Sequence, residues 1–193
     1  VFKKGKGGKE MANPYLSDIR FYVKQYFKEQ ERVTQAKKEI IDKYSNYIDK
    51  SGLEEELAEI DSKLEQIQKE TIDNISKLIE AYRSEVKKWS LPTAEKMKDL
   101  QVLELDLTED DLCNLVEEHR DNPIMLKAIR DYAIKNNMRK VFSMDYKLPE
   151  DKLKAIDYVE SVITRGIRDG GYWGALISNE EAFERFINNT IGE

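Results

Sequence analysis

From Leu16 onward, apolar residues return on alternating steps of three and four: Leu16, Ile19, Val23, Tyr26, Val33, Ile40, Tyr44 and Tyr47. Gln30 and Lys37 are the two polar residues on that seam. A stripe of this length predicts a long helix with a coiled-coil-like face. A second stripe runs Leu53, Leu57, Ile60, Leu64, Ile67, Thr71, Ile75, Leu78, Tyr82, Val86 and Trp89. With a rise of about 1.5 Å per residue, each helix is expected to be roughly 50 Å long. Between them lies DKSGLEEE. Gly52 suits the left-handed position just past a helix end, Leu53 is placed to pack back on Ile48, and Glu54, Glu55 and Glu56 suit the first turn of the next helix. The chain is therefore expected to reverse here and form an antiparallel hairpin over residues 15–90, rather than continue as one helix.

Shorter periodic segments follow. In SLPTAEKMKDLQVLEL, Pro92 fits the first position of a helix, and Met97, Leu100, Val102 and Leu103 form its inner face. Thr108, with Asp111 three residues on, reads as a capping box ahead of Leu112, Leu115 and Val116. Asn122-Pro123 ends that helix and starts another, with Met125, Leu126, Ile129, Tyr132 and Ala133 inside. Phe142, Met144, Tyr146 and Leu148 alternate with polar residues and read as an extended connector, since no partner strand is in sight. Pro149 opens a helix facing inward with Leu153, Ile156, Val159, Ile163 and Ile167. DGGYWG, residues 169–174, reads as a breaker loop exposing Tyr172 and Trp173. Ser178 and Glu181 read as a capping box for a last helix bearing Phe183, Phe186 and Ile187. The prediction is an all-α protein: a long antiparallel helical hairpin followed by a bundle of shorter helices over residues 91–193.

Composition agrees with long helices: 36% of residues are charged, and only four are proline and nine glycine. No apolar run reaches the roughly 18 residues of a membrane span, and no secretory signal is visible. A single cysteine forms no internal disulfide, which suits a reducing compartment. The net charge of −6 is uneven. VFKKGKGGKE carries four lysines against one glutamate, whereas the body is acidic. Residues 1–14 read as a flexible basic arm or an expression remnant, with Met11 placed like a natural start.

Candidate chemistry is sparse. Cys113 and His119, six residues apart on one helix, lie about 120° apart around its axis and do not share a ligand easily. The acids Glu104, Asp106, Glu109, Asp110 and Asp111 lack calcium-loop spacing. No phosphate-binding glycine loop, zinc spacing or nucleophile elbow occurs. The sequence therefore predicts no catalytic residue, metal or cofactor. Two binding surfaces stand out instead. Phe21, Tyr22, Phe27 and Ile41 widen the apolar face of the first helix beyond what one partner helix covers, and predict an oligomer interface, the rival being that the C-terminal helices fold back over this face within one chain. Tyr172 and Trp173 are candidate anchors for a partner protein. An alternative is DNA binding by a helix-turn-helix-like element at residues 108–140, through Lys127, Arg130 and Lys135, with Arg139 and Lys140 nearby.

LTEDDLCNLVEEHRDNPIMLKAIRDYA, residues 107–133, combines a capped acidic helix, a D-N-P corner and a helix ending A-I-R-D-Y-A. It resembles segments of small helical structural and assembly proteins of tailed phages of Gram-positive bacteria. The long charged hairpin is similar in type to phage scaffolding proteins, although the C-terminal INNTIGE lacks their basic character. The resemblance implies a non-enzymatic structural or assembly role, homo-oligomerisation, contacts with other phage proteins, and a place in the host cytoplasm or the virion.

Overall fold

The computed structural model describes residues 14–45, 47 and 50–192, whose regular structure is all helical with no strand. Helix α1 spans Pro14–Tyr44 and α2 spans Ser51–Trp89. They pack as the expected hairpin. Ion pairs crossing from one to the other, Lys37 with Asp61 and Lys43 with Glu56, fix the antiparallel register. Lys37 thus occupies the seam by reaching a carboxylate on the opposite helix. The reversal differs from expectation in one respect. Gly52 is the second residue of α2 and not a left-handed cap. Its missing side chain makes room for Tyr44, since a Cβ there would sit 2.5 Å from the Tyr44 hydroxyl. The expected Leu53–Ile48 contact lies outside the described residues.

Packing groups the chain into two units, one joining residues up to Ala81 with those from Asp157 onward, the other covering Tyr82–Ile156. The expected organisation placed hairpin and bundle on either side of residue 90. By packing, the last stretch of chain belongs with the hairpin.

In the first unit, the core is built from Leu16, Ile19, Val23 and Tyr26 of α1, Ile75 and Ile79 of α2, and Val159, Val162, Ile163 and Ile167 of α6 (Pro149–Asp169). Ile79 is fully buried although it lies off the heptad seam, while the seam residue Leu78 is only half-buried. The buried face of α2 is rotated there because α6 packs beside it, with Ser76 donating to Glu160 at 2.9 Å. Gly170 and Gly171, at φ 64° and 58°, then turn the chain in a conformation that side chains rarely adopt. Helix α7 (Gly171–Ser178) follows directly, so DGGYWG is a turn leading into a helix and not an open loop. Asn179 caps α8 (Glu180–Ile187) by accepting from the Ala182 amide. Ser178, expected as that cap, instead donates to the Ala175 carbonyl. Phe183, Ile187 and Ile191 complete the core.

One carbonyl ties this unit together. Ile167 lies in the last turn of α6, where carbonyls lack intrahelical partners. Its oxygen accepts from the Tyr26 hydroxyl at 3.1 Å and from Gln68 Nε2 at 2.6 Å. Core burial ends at the same level. Tyr26 is the last buried residue of α1 and Thr71 the first of α2, and no described residue between 27 and 70 is buried.

The second unit packs α4 (Glu109–Glu118) and α5 (Pro123–Lys135) around Leu112, Val116, Met125, Leu126, Ile129 and Ala133, with Val141 and Leu148 from the following segment. Thr108 and Asp111 form the expected capping box, and Asn122 caps α5. Thr93 caps the short helix α3 (Ala94–Met97), so Pro92 lies ahead of the helix and not at its first position, and Met97 is half-exposed rather than internal. Leu100, Val102 and Leu103 do pack on the core, from a 3₁₀ turn. The expected connector holds a second 3₁₀ turn, Lys140–Ser143, before an extended run to Leu148.

Two stability measurements test the first unit. Tyr26→Phe should cost about 1 kcal/mol in urea unfolding, the usual net worth of one such hydrogen bond. Burial raises the Tyr26 hydroxyl above its ordinary value of 10.0. The contribution of neutral Tyr26 is therefore complete below the ordinary tyrosine range and lost as pH rises through the folded value. Tyr26→Phe should lose less stability than the parent over that alkaline window. Gly166→Ala places a Cβ 2.5 Å from Ile177 Cδ1 and 3.0 Å from the Trp173 carbonyl, which is backbone and yields little. An overpacking cost of about 1–3 kcal/mol is expected.

Candidate functional site

Cys113 is half-buried against the core of the second unit, and His119 caps the end of α4, its amide bonded to the Leu115 carbonyl at 3.0 Å. Glu104 and Asp106 are exposed, and the three acids that open α4 are engaged locally. Asp111 is held below the usual carboxylate range by the Thr108 hydroxyl and amide. Asp110 pairs with Lys140, and Glu109 accepts from the Lys140 amide at 3.3 Å. No group of three or more His, Cys, Asp or Glu residues suited to a metal ion occurs among the described residues.

The D-N-P corner is built as a structural joint. Asn122 donates to the Lys96 carbonyl at 2.8 Å while its own oxygen caps α5. The Trp89 indole donates to the Asp121 carbonyl at 3.1 Å. The Tyr132 hydroxyl donates to the Leu105 carbonyl at 3.1 Å and accepts from the Leu107 amide.

The basic residues considered for DNA do not form one free stripe. Lys127 and Lys135 are exposed, but Arg130 pairs with Asp151 at 3.2 Å, and Lys140 is taken by Asp110. The outer side of α5 also carries Asp131 and Ile134, the latter 61% exposed.

Tyr172 is 75% exposed on the first turn of α7, and Trp173 beside it is half-buried, their rings meeting edge-on at 5.0 Å. The aromatic pair is thus held on a helix, with one ring available and the other partly packed.

The four candidate interface residues on α1 are not equivalent. Helices α7 and α8 pack against the first half of α1 within the chain. The ion pairs Arg20–Glu184 and Lys24–Glu180 rim this contact, and Lys24 holds the Glu180 carboxyl below its usual range. Tyr22 and Phe27 are half-buried, whereas Phe21 and Ile41 stay 56% and 51% exposed. Phe21 and Ile41 are about 30 Å apart along the helix and do not form one patch. Phe27 and Phe21 line a shallow groove of about 480 Å³ with Ile177 and Phe183.

The largest unsupported element is the outer hairpin. From residue 27 to residue 70, the seam residues Val33, Ile40, Leu57, Ile60 and Leu64 are only half-buried. At the tip, Glu56 accepts from Lys43 at 2.7 Å and from the Tyr44 hydroxyl at 2.8 Å, which lowers its pKa. Sequence periodicity located this hairpin. Its one sign of where core burial stops is the pair of polar seam residues, Gln30 and Lys37, both of which lie beyond Tyr26.

If phosphate contact were the task of α5, the unpaired Lys127 and Lys135 would have to carry it. We expect protein lacking residues 1–10 to show no retention on duplex DNA at low salt. Retention with a salt slope that flattens on neutralising Lys127 and Lys135 would establish DNA binding instead.

No helix among the described residues is long and apolar enough to cross a membrane. No protein-family model matches the chain, and no curated protein or solved structure matches it either.

Proposed function

We propose that this protein is a non-enzymatic assembly protein whose projecting two-helix arm pairs with other protein chains. The observation that carries this reading is the arm itself: residues 27–44 of α1 and 51–70 of α2 form a helical pair without one buried residue among those described. A helical pair keeps its seam half-wet when nothing else covers it, and covering it removes apolar surface from water at roughly 25 cal/mol per Å². The core at the base of the arm supplies a fixed platform, and the arm supplies surface. A phage or prophage setting, as a structural protein acting among other virion proteins, is supported by the resemblance of residues 107–133 and by the likeness in type of the charged hairpin to phage scaffolding proteins. The exposed Tyr172 supports a second, smaller contact site.

Light scattering on the full-length chain tests the reading. A dimer or larger oligomer is expected at high micromolar concentration. A chain that stays monomeric there would remove the physical support for assembly through the arm. Co-purification from phage-producing cells tests the setting, with other virion proteins expected alongside this one.

A further inference from the structure

Among the described residues, the hairpin is fastened to the rest of its unit at its base. The polar contacts that reach from it to α6 and α8 come from Arg20, Lys24, Tyr26, Gln68 and Ser76. The residues it buries in this unit run from Leu16 to Tyr26 and from Thr71 to Ile79. Phe27 adds a half-buried ring in the groove with Ile177 and Phe183. Farther out, the seam of α1 continues through Gln30, Val33, Lys37, Ile40 and Tyr44, so its apolar places alternate with polar ones. The apolar places stay half-buried. The ion pairs across the seam, Lys37–Asp61 and Lys43–Glu56, lie toward water, where such pairs add little to stability.

Most helical stability in a protein comes from packing of an apolar face, and a separated helix of a few turns is marginal in water. Parting the seam of the arm therefore removes the main support of both helices at once. The base is in the opposite condition. Ile19, Ile75, Ile79, Val159 and Ile163 are at most 2% exposed, and several helices converge on them. Opening of the arm uncovers none of these side chains. Between the two regions stands the Ile167 carbonyl, held by Tyr26 and Gln68. Opening that went past this level would strip the last turn of α6 of both donors, which is costly for a buried acceptor.

We propose that residues 27–44 of α1 and 51–67 of α2 open and close as one cooperative unit while the base stays folded, with the Tyr26 and Gln68 bonds to Ile167 as the stop at which opening ends. The device works within a single chain and does not rest on the assembly reading above. In the closed state Val33, Ile40, Leu57 and Leu64 half-cover one another. In the open state they reach water and the base is unchanged.

Native-state amide exchange on the full-length protein tests this, read by peptide-resolved mass spectrometry at low micromolar concentration and at urea concentrations below the unfolding midpoint. Amides around Val33, Ile40, Leu57 and Leu64 should exchange roughly a hundredfold or more faster than those around Ile75, Ile79, Val159 and Ile163. The arm rates should rise together with urea, because a cooperative opening exposes surface and fraying of single turns does not. Ile79→Val removes one buried methylene, a change mild enough to keep the protein folded, and should speed the base amides about two- to tenfold. It should leave the arm rates unchanged, since the arm opens from a folded base in parent and variant alike. Arm and base amides that exchange at one common rate overturn the proposal. So does an Ile79→Val variant in which both speed up equally, and so do arm rates indifferent to urea. Light scattering reads the assembly proposal separately, so each can fail without the other.

Discussion

The Ile167 carbonyl is the point on which the first unit turns. It sits where α6 has run out of its own donors, and it takes one hydrogen bond from α1 and one from α2. Three helices are thereby fixed against each other at one level of the hairpin. A buried carbonyl left without donors would be costly, so Tyr26 and Gln68 hold the end of α6 in place as much as α6 holds them. The buried residues of the hairpin all lie on the core side of this level, where several helices converge. Beyond it, past the groove that Phe27 shares with α7 and α8, the two helices have only each other among the described residues.

That division explains why two halves of the same heptad pattern have different physical character. Near the base, α2 turns Ile75 and Ile79 inward because it has α6 as well as α1 to face. Beyond Gln68 there is no third helix, and the stability of the arm comes from a half-covered seam with ion pairs across it. Exposed pairs of this kind contribute little, about 0–1 kcal/mol each. Their value lies in register: Lys37 and Lys43 each have a single carboxylate partner on the opposite helix, which opposes a slip of one helix along the other. The close approach of Tyr44 to Gly52 brings the two helices together at the tip.

The second unit is held by polar joints around its corner. Asn122 serves two helices at once, and Tyr132 fastens the segment that leads into α4. Residues that suggested chemistry by their rarity, Cys113 and His119, take packing and capping positions there. Among the acids that open α4, Asp111 is taken up by the cap and Asp110 by Lys140. Each is satisfied by its immediate surroundings.

The helices, their caps at Thr108 and Asn122, and the antiparallel reversal were legible in the sequence, because period, capping chemistry and turn composition are properties of neighbouring residues. The surplus apolar face of α1 was legible too, but not its fate. Tertiary structure covered its first half with α7 and α8 and left Ile41 exposed, a choice that depends on residues more than 130 positions away. Asn179 displaced Ser178 as the cap of α8 because the double-glycine turn at Gly170 and Gly171 starts α7 at once and carries that helix through Ser178. The level at which the core ends was marked in sequence only by the polar seam residues Gln30 and Lys37, since Tyr26 and Val33 are both apolar at equivalent heptad positions. Only the meeting of α1, α2 and α6 at one carbonyl separates a buried residue from a half-exposed one, because burial is set by how many elements converge on a position and not by the pattern along any one of them.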